Sequence, residues 1–437
     1  MANGEPPAGN RMGFLRRKLG QLSRKIELRR CAIETAVTPP FLLARSVHKA
    51  RGALRSCPQA GNSRRRLFVD LSVIGQDDAG TGIQRVVRAL AMALSRQDED
   101  AWEVHFVAAA YRRPYYRIAW PADDSSPDFA PIAARPGDVF LGLDYALDSV
   151  RRHERQLRQF KADGGRLWFL VHDLLPLHHP EWFSRNTVIR YSKWLHILAK
   201  FGDGFLCNSE QTETDLRAMF VARYRLATGY RTQVLPMGAD LSESIQPSAN
   251  AAVSATDTGR FSELHPFVMM VGTLEPRKGH ADVVQAFDVL WRAGCRFRLV
   301  IIGRLGWRVD DLRLMIESHS EFGRRLFWYD DIDDATLMSA YRACEGVIVA
   351  SRAEGFGLPL IEALGYGRPV LARDLPVFRP HEPLGVRYFP ANADAETLAA
   401  EIRRWLRALK LGEVAISRPL GDWRRSADVL LAAIAQC

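Results

Sequence analysis

From residue 66 onward the chain alternates two hydrophobic patterns. Short runs in which nearly every position is apolar predict strands: RLFVDLS (66–72), VHFVAA (104–109), DVFLGL (138–143), RLWFLVH (166–172), GFLCNS (204–209) and TQVLPMG (232–238). Between several of them, residues 82–95, 187–201 and 211–224 repeat their apolar positions at helical spacing. Continuous apolar strands separated by helices imply parallel sheets covered on both faces. A Ser-, Ala- and Thr-rich stretch over 242–259 then reads as a linker, and a second series follows: PFVMMVG (266–272), FRLVIIG (297–303), RLFWY (325–329), GVIVAS (346–351) and RPVLA (368–372). A helix over 282–293 ends at Gly294, and residues 395–408 and 423–435 predict two closing helices, finishing the second domain or crossing back to the first. The expected architecture is α/β, with two doubly wound Rossmann-like domains (67–241 and 263–437) joined by a linker (242–262). Such a pair places a ligand crevice between the domains, at the carboxyl ends of the strands.

The length of 437 residues fits two or three domains of roughly 150 residues. The longest run without a charged residue, 244–256, is polar and Ala-rich, so no transmembrane helix is expected. The first twenty residues lack the apolar core of a secretion signal. Six scattered cysteines with no CxxC argue against a zinc site or a disulfide framework and suit a reducing compartment, so the cytoplasm is the expected location.

Charge changes the picture at one end. Residues 1–66 hold 15 Lys and Arg against 3 Asp and Glu, a net of +12, whereas the remainder is −2. The nearly neutral body excludes a nucleic-acid binder, which carries its basic patch on the fold. In the extension, Met12, Leu15, Leu19, Leu22 and Ile26 would line one face of a helix whose other faces are basic. That pattern over residues 11–30 is read as an anchor to an anionic membrane surface, with a solvated tail or a helix docked on the body as alternatives.

Three loops carry the candidate chemistry. GVIVASRAEGFGLPLIEALGYGRPVLA runs from a strand through Glu354 and Gly-Phe-Gly into a helix entered near Pro359 and carrying Glu362. Backbone N–H groups at such a helix start suit a phosphate, and a carboxylate beside it suits ring hydroxyls. A capping acid with turn glycines explains an isolated loop of this kind equally well. VGTLEPRKGH places Arg277 and Lys278 just before a helix, where two cations suit a diphosphate. IIGRLGW puts Arg304 at the end of a third strand. In the first half, Gly80, Thr81 and Gly82 open a helix carrying Arg85, and His172 ends an apolar strand. Asp331-Ile332-Asp333 has the form of a metal-diphosphate motif, but it precedes a helix, where acids cap, and no metal is expected.

The ordered set VHD, VGTLEPRKGH, IIGRLGW and EGFGLPLIE resembles glycosyltransferase family 4, retaining nucleotide-sugar transferases of GT-B fold, over about residues 67–390. Glu354 and Glu362 match its Glu-x7-Glu pair, while TGIQRV and HDLLPLHHPEWF are similar to members that build bacterial surface polysaccharides, often from GDP-mannose. The resemblance implies that Glu354 contacts the donor sugar and Glu362 the nucleotide ribose. It implies further that Arg277 and Lys278 hold the diphosphate opposite the backbone of Phe356, Gly357 and Leu358, with His172 approaching the sugar and Gly82 letting its loop lie against the diphosphate. Many members are basic where this chain has Thr273, which leaves Arg277, Lys278 and Arg304 to neutralise the leaving group. No cofactor or metal is implied. The implied partners are a nucleotide sugar and a glycan or lipid-linked glycan acceptor, the latter at the inner face of the cytoplasmic membrane. A sugar-nucleotide epimerase, a phosphorylase and a non-catalytic scaffold of the same fold are the alternatives. The phosphorylase lacks a recognisable pyridoxal-phosphate lysine, and the intact Glu354, Glu362, Arg277 and Lys278 weigh against the scaffold.

Overall fold

The computed structural model of the chain describes residues 39–53, 64–76, 80–97, 102–121, 129–239, 261, 264, 266–417 and 421–436. The basic helix expected over 11–30 and the linker over 242–259 lie outside the described residues.

The described residues form two sheets. The first has the strand order β3-β2-β1-β4-β5-β6-β7, with β1 at Arg65–Asp70, β2 at Trp102–Ala110, β3 at Arg113–Arg117, β4 at Val139–Gly142, β5 at Arg166–Val171, β6 at Gly204–Cys207 and β7 at Arg231–Val234. The second is β10-β9-β8-β11-β12-β13, with β8 at Phe267–Val271, β9 at Arg298–Ile302, β10 at Leu326–Tyr329, β11 at Gly346–Val349, β12 at Val370–Arg373 and β13 at Arg387–Phe389. Every pairing is parallel except that of β2 with β3. The apolar runs become strands because helices cover both faces; β4, β6 and β11 are buried at every position.

Strand order reverses between β1 and β4 in the first sheet and between β8 and β11 in the second. At such a switch point the connections leave in opposite directions and open a crevice at the carboxyl ends of the strands. All four switch strands lead into loops singled out above or directly beside them: Gly80–Gly82 after β1, Asp144 after β4, Gly272–Lys278 after β8 and Ser351–Gly357 after β11.

Two expected boundaries move. Helix Trp423–Ala435 does not finish the second domain, as the 263–437 boundary implied. It packs into the core of the first, with Leu67, Val69 and Leu90, while Trp423 covers Gly238 and Asp422 caps its start by accepting from Arg425 N at 2.7 Å. Helix Ala395–Lys410, by contrast, joins the second-domain core through Leu398, Ile402 and Trp405. The extension does not run to residue 66 either. Arg66 lies in β1, clamped to Asp138 at 2.5 Å, and helix Pro40–Ala53 is docked on the first domain. Its Val47 is fully buried, and Arg51 donates to the carbonyls of Ala199, Gly202 and Gly229, each at 2.7 Å. Two of those carbonyls belong to the end of helix Arg185–Phe201, whose unpaired C=O groups and negative dipole end attract a cation.

Removal through residue 62, which takes away the Pro40–Ala53 helix, should lower the first transition seen by circular dichroism relative to removal of residues 1–38. Each kcal/mol lost is worth about 2–4 °C in a domain of this size. Coincident melting curves for the two truncations would show that the Pro40–Ala53 helix adds nothing to the core.

Candidate active site

The second-domain loops are pressed together where side chains would not fit. A Cβ on Gly303 would lie 2.0 Å from the Gly272 carbonyl oxygen, and one on Gly279, at φ 71°, would lie 2.2 Å from that of Ala350. These contacts set the Pro276–Lys278 turn against the loop after β11, and Arg352 N donates to Arg277 O at 2.7 Å. Arg277, Lys278 and Glu354 are thereby brought into one buried knot. Lys278 Nζ donates to Glu354 Oε1 at 2.5 Å, Arg277 Nη1 to Oε2 at 3.1 Å, and Ser351 Oγ to Oε1 at 2.7 Å. Glu275 holds Arg277 from the other side, Nε to Oε2 at 2.8 Å.

Burial alone would raise the Glu354 carboxyl, but Lys278 and Arg277 outweigh it and hold its pKa at about 2. Burial would lower the Arg277 guanidinium; Glu354, Glu275 and, from the first domain, Asp173 reverse that and raise it. Burial raises both Glu275 and Asp173. The two cations expected to hold a diphosphate are therefore already paired with the carboxylate expected to hold the sugar, and Glu275 supplies the second negative charge.

Helix Leu358–Gly365 begins at Gly357, whose φ of 92° and whose approach to Phe378 (2.3 Å from a built Cβ) both require glycine. Phe356 wedges between the two domains, packing against the core of each. Glu362, one turn into the helix, is 1% exposed, accepts from the Tyr341 hydroxyl at 2.7 Å and lies 3.0 Å from Arg85 Nη1.

The first domain meets this loop directly. A Cβ on Gly355 would sit 2.1 Å from the His172 carbonyl oxygen, and Ser209 Oγ donates to Gly355 O at 2.5 Å. His172 is 5% exposed, and burial lowers its pKa to about 4, so the ring is neutral at pH 7, with Nε2 making no hydrogen bond within the protein. Gly82 begins helix Gly82–Ser95 behind a Thr81–Gln84 capping box, and its built Cβ is 3.9 Å from Leu358 Cδ2. The two helix starts thus lie side by side, and a side chain at position 82 would make an ordinary contact there.

One expected residue stands apart. Arg304 lies on an exposed rim, ion-paired with Asp331 at 3.1 Å, rather than in the knot with Arg277 and Lys278. Thr273 supports the loop: its methyl carbon would be 3.0 Å from a Cβ on Gly306. Asp333 accepts from Thr336 N at 2.7 Å and caps helix Asp334–Ala343. Among the described residues no cluster of His, Cys, Asp and Glu is arranged to hold a metal. Asp173 and Glu275 were missed as site residues; each adjoins a chosen motif residue or lies within it, and only the fold turns them toward Arg277.

Glu354→Gln takes the bonded carboxylate from Lys278 and leaves Arg277 with Glu275 and Asp173 alone, and should cost about 3–5 kcal/mol of stability. Because the pKa of Glu354 lies below its unfolded value, its contribution is present above the ordinary carboxyl range and is lost as pH falls toward about 2. In urea denaturation the gap between wild type and variant should therefore be constant from neutral pH down to about pH 5 and shrink as pH falls further toward about 2; a gap that does not change below about pH 5 would mean that the Glu354 carboxyl titrates alike in the folded and unfolded states.

Residues 257–416 match the family described as Glycosyl transferases group 1. The chain is 33% identical over 378 residues to the serotype-specific mannosyltransferase WbdA of Escherichia coli, covering 84% of this chain and 46% of that protein. It thus spans slightly under half the length of the curated relatives it matches. A 150-residue stretch is 35% identical to the D-inositol 3-phosphate glycosyltransferase of Nocardia farcinica, covering 33% of each chain. Among solved structures, a sucrose-phosphate synthase from Thermosynechococcus elongatus shares the fold (TM-score 0.54, 19% identity, 85% of this chain and 96% of that one). So does HepE of Anabaena, solved with UDP-glucose (TM-score 0.52, 15% identity, 86% and 98%). With two parallel doubly wound sheets, strand-end loops meeting across a cleft and these sequence matches, the chain belongs to the group 1 glycosyltransferases of GT-B fold.

Proposed function

We propose that the protein transfers mannose from GDP-mannose to a growing surface polysaccharide or oligosaccharide, with retention of configuration. The observation that carries this reading is the buried Glu354–Arg277–Lys278 knot at the strand ends, reached from the first domain by His172 and Asp173. The mannosyltransferase name of the Escherichia coli relative supports the choice of sugar.

In the reaction, the diphosphate competes with Glu354 for Arg277 and Lys278. Charge-assisted bonds to these cations stabilise the negative charge that builds on the leaving nucleoside diphosphate, with the N–H groups at the start of helix Leu358–Gly365 adding to them. Glu354, released, accepts hydrogen bonds from donor-sugar hydroxyls. His172, neutral at pH 7, can exchange a hydrogen bond with the same sugar through Nε2. Contact between the domains excludes water that would otherwise compete with the acceptor hydroxyl. The departing phosphate takes the acceptor proton, so no separate base is needed, and neutralisation by side chains makes a metal unnecessary. The basic segment 11–30 would hold the enzyme at an anionic membrane carrying a lipid-linked acceptor.

Transfer of labelled mannose from GDP-mannose to a mannan oligosaccharide should continue in excess EDTA. Lys278→Ala should lower kcat by about 100-fold or more. Loss of transfer in EDTA that Mg²⁺ or Mn²⁺ restores would overturn the metal-free account, and full turnover by Lys278→Ala would remove the knot from catalysis. Deleting residues 1–38 should release the protein from vesicles rich in anionic lipid while sparing transfer to the soluble oligosaccharide, since each basic residue adds about 1 kcal/mol of surface attraction. Unchanged vesicle binding would place the anchor elsewhere.

A further inference from the structure

Helix Gly82–Ser95 carries two arginines one turn apart, Arg85 and Arg88, each only 7% exposed. Arginines are almost never buried unless paired, and both of these find their partners in the other domain. Arg85 Nη1 lies 3.0 Å from Glu362 Oε1, and Arg88 Nη1 lies 3.5 Å from Asp334 Oδ2. The Glu362 carboxylate is fixed at its other oxygen by the Tyr341 hydroxyl, and the Tyr341 ring stacks on Tyr366 (centroids 5.3 Å apart, 6° between planes).

The Arg85–Glu362 contact is one of charge without hydrogen-bond alignment. Nε and Nη1 of Arg85 and Oε1 of Glu362 are buried and make no hydrogen bond within the protein. Leaving such groups unmatched is costly. Together they present donors beside an acceptor, the complement of a hydroxyl, which both donates and accepts.

We propose that Arg85 is a positioning residue for the nucleotide: reaching across from the first domain, it orients Glu362 against the ribose hydroxyls, so the ribose site is complete only when the domains are closed on each other. The proposal rests on Glu362 being the ribose-holding residue. It explains why a donor-binding carboxylate of the second domain has its counter-charge on the first. Closing the cleft and completing the nucleotide site then become one event, and the nucleotide gains affinity only in the conformation that also brings the His172 carbonyl against Gly355.

The charged and titratable groups facing Glu362 are Arg85, Tyr341 and Asp334, with Lys278 from the Pro276–Lys278 turn. Burial raises the Glu362 carboxyl, and Arg85 is the strongest opposing influence. Without Arg85 the carboxyl takes up a proton at higher pH, so affinity should fall as pH is lowered through that region.

The test is calorimetric binding of GDP, with UDP as a second probe, to the full chain from about pH 5.5 to about pH 8.5. Arg85→Ala should weaken binding about tenfold or more at neutral pH, with the loss growing as pH falls, and Arg85→Lys should recover part of it. Combining Arg85→Ala with Glu362→Gln should bind no worse than Glu362→Gln alone, because both changes remove one interaction. Additive losses, or an Arg85→Ala variant that binds with the wild-type pH profile, would overturn the proposal; a lowered melting temperature with intact binding would assign Arg85 to packing alone. Wild-type binding by Glu362→Gln would instead overturn the ribose reading beneath the proposal, and the two failures are told apart by that single variant.

Discussion

Two cations and a carboxylate share a buried space where the strands of the second sheet end, and much of the surrounding structure serves that arrangement. Glu354 can stay ionised at 8% side-chain exposure only because Lys278 and Arg277 are bonded to it. They reach it because glycines at 279 and 303 let three loops pack backbone against backbone. Such pairing avoids leaving unpaired charge buried, which costs several kcal/mol per ion. On the donor reading proposed above, a ligand would have to bring enough negative charge to displace Glu354, as a diphosphate would and a neutral sugar would not.

The same economy governs the cleft. The domains touch through groups that each need the other side: His172 against Gly355, Arg85 against Glu362, and a rim where Trp307 Nε1 donates to Trp182 O at 2.5 Å and Arg308 Nη1 to Glu181 O at 2.5 Å. Helix Trp423–Ala435 carries the chain back onto the first domain, so the two halves are joined at a second covalent crossing besides the segment between β7 and β8.

How much of this was legible in the sequence follows from locality. Strands buried on both faces show as continuous apolar runs, so β1, β2, β4–β6, β8, β9, β11, β12 and the helix at Gly82–Ser95 could be read directly, while the edge strands β7 and β10, only partly buried, were legible from the apolar residues in or just after them. Strand β3, RPYYR, is half polar and lies antiparallel at a sheet edge, and β13 is three residues long; neither has a periodic signature. The site loops were legible because each follows an apolar strand and carries charge at a helix start. Their mutual neutralisation was not, since it joins residues 76 or more positions apart. Arg85 was visible on its helix, but its partner lies in the other domain. The return of Trp423–Ala435 to the first core could not be decided either, because an amphipathic helix records that it has a partner and not which one.

The claim that the knot is the donor site is tested most directly by a crystal structure of the wild-type protein with GDP-mannose bound. The account predicts diphosphate oxygens within hydrogen-bond distance of Arg277 and Lys278, with Glu354 turned from Lys278 toward the sugar hydroxyls. A nucleotide bound elsewhere, with the Lys278–Glu354 and Arg277–Glu354 bonds intact, would contradict it.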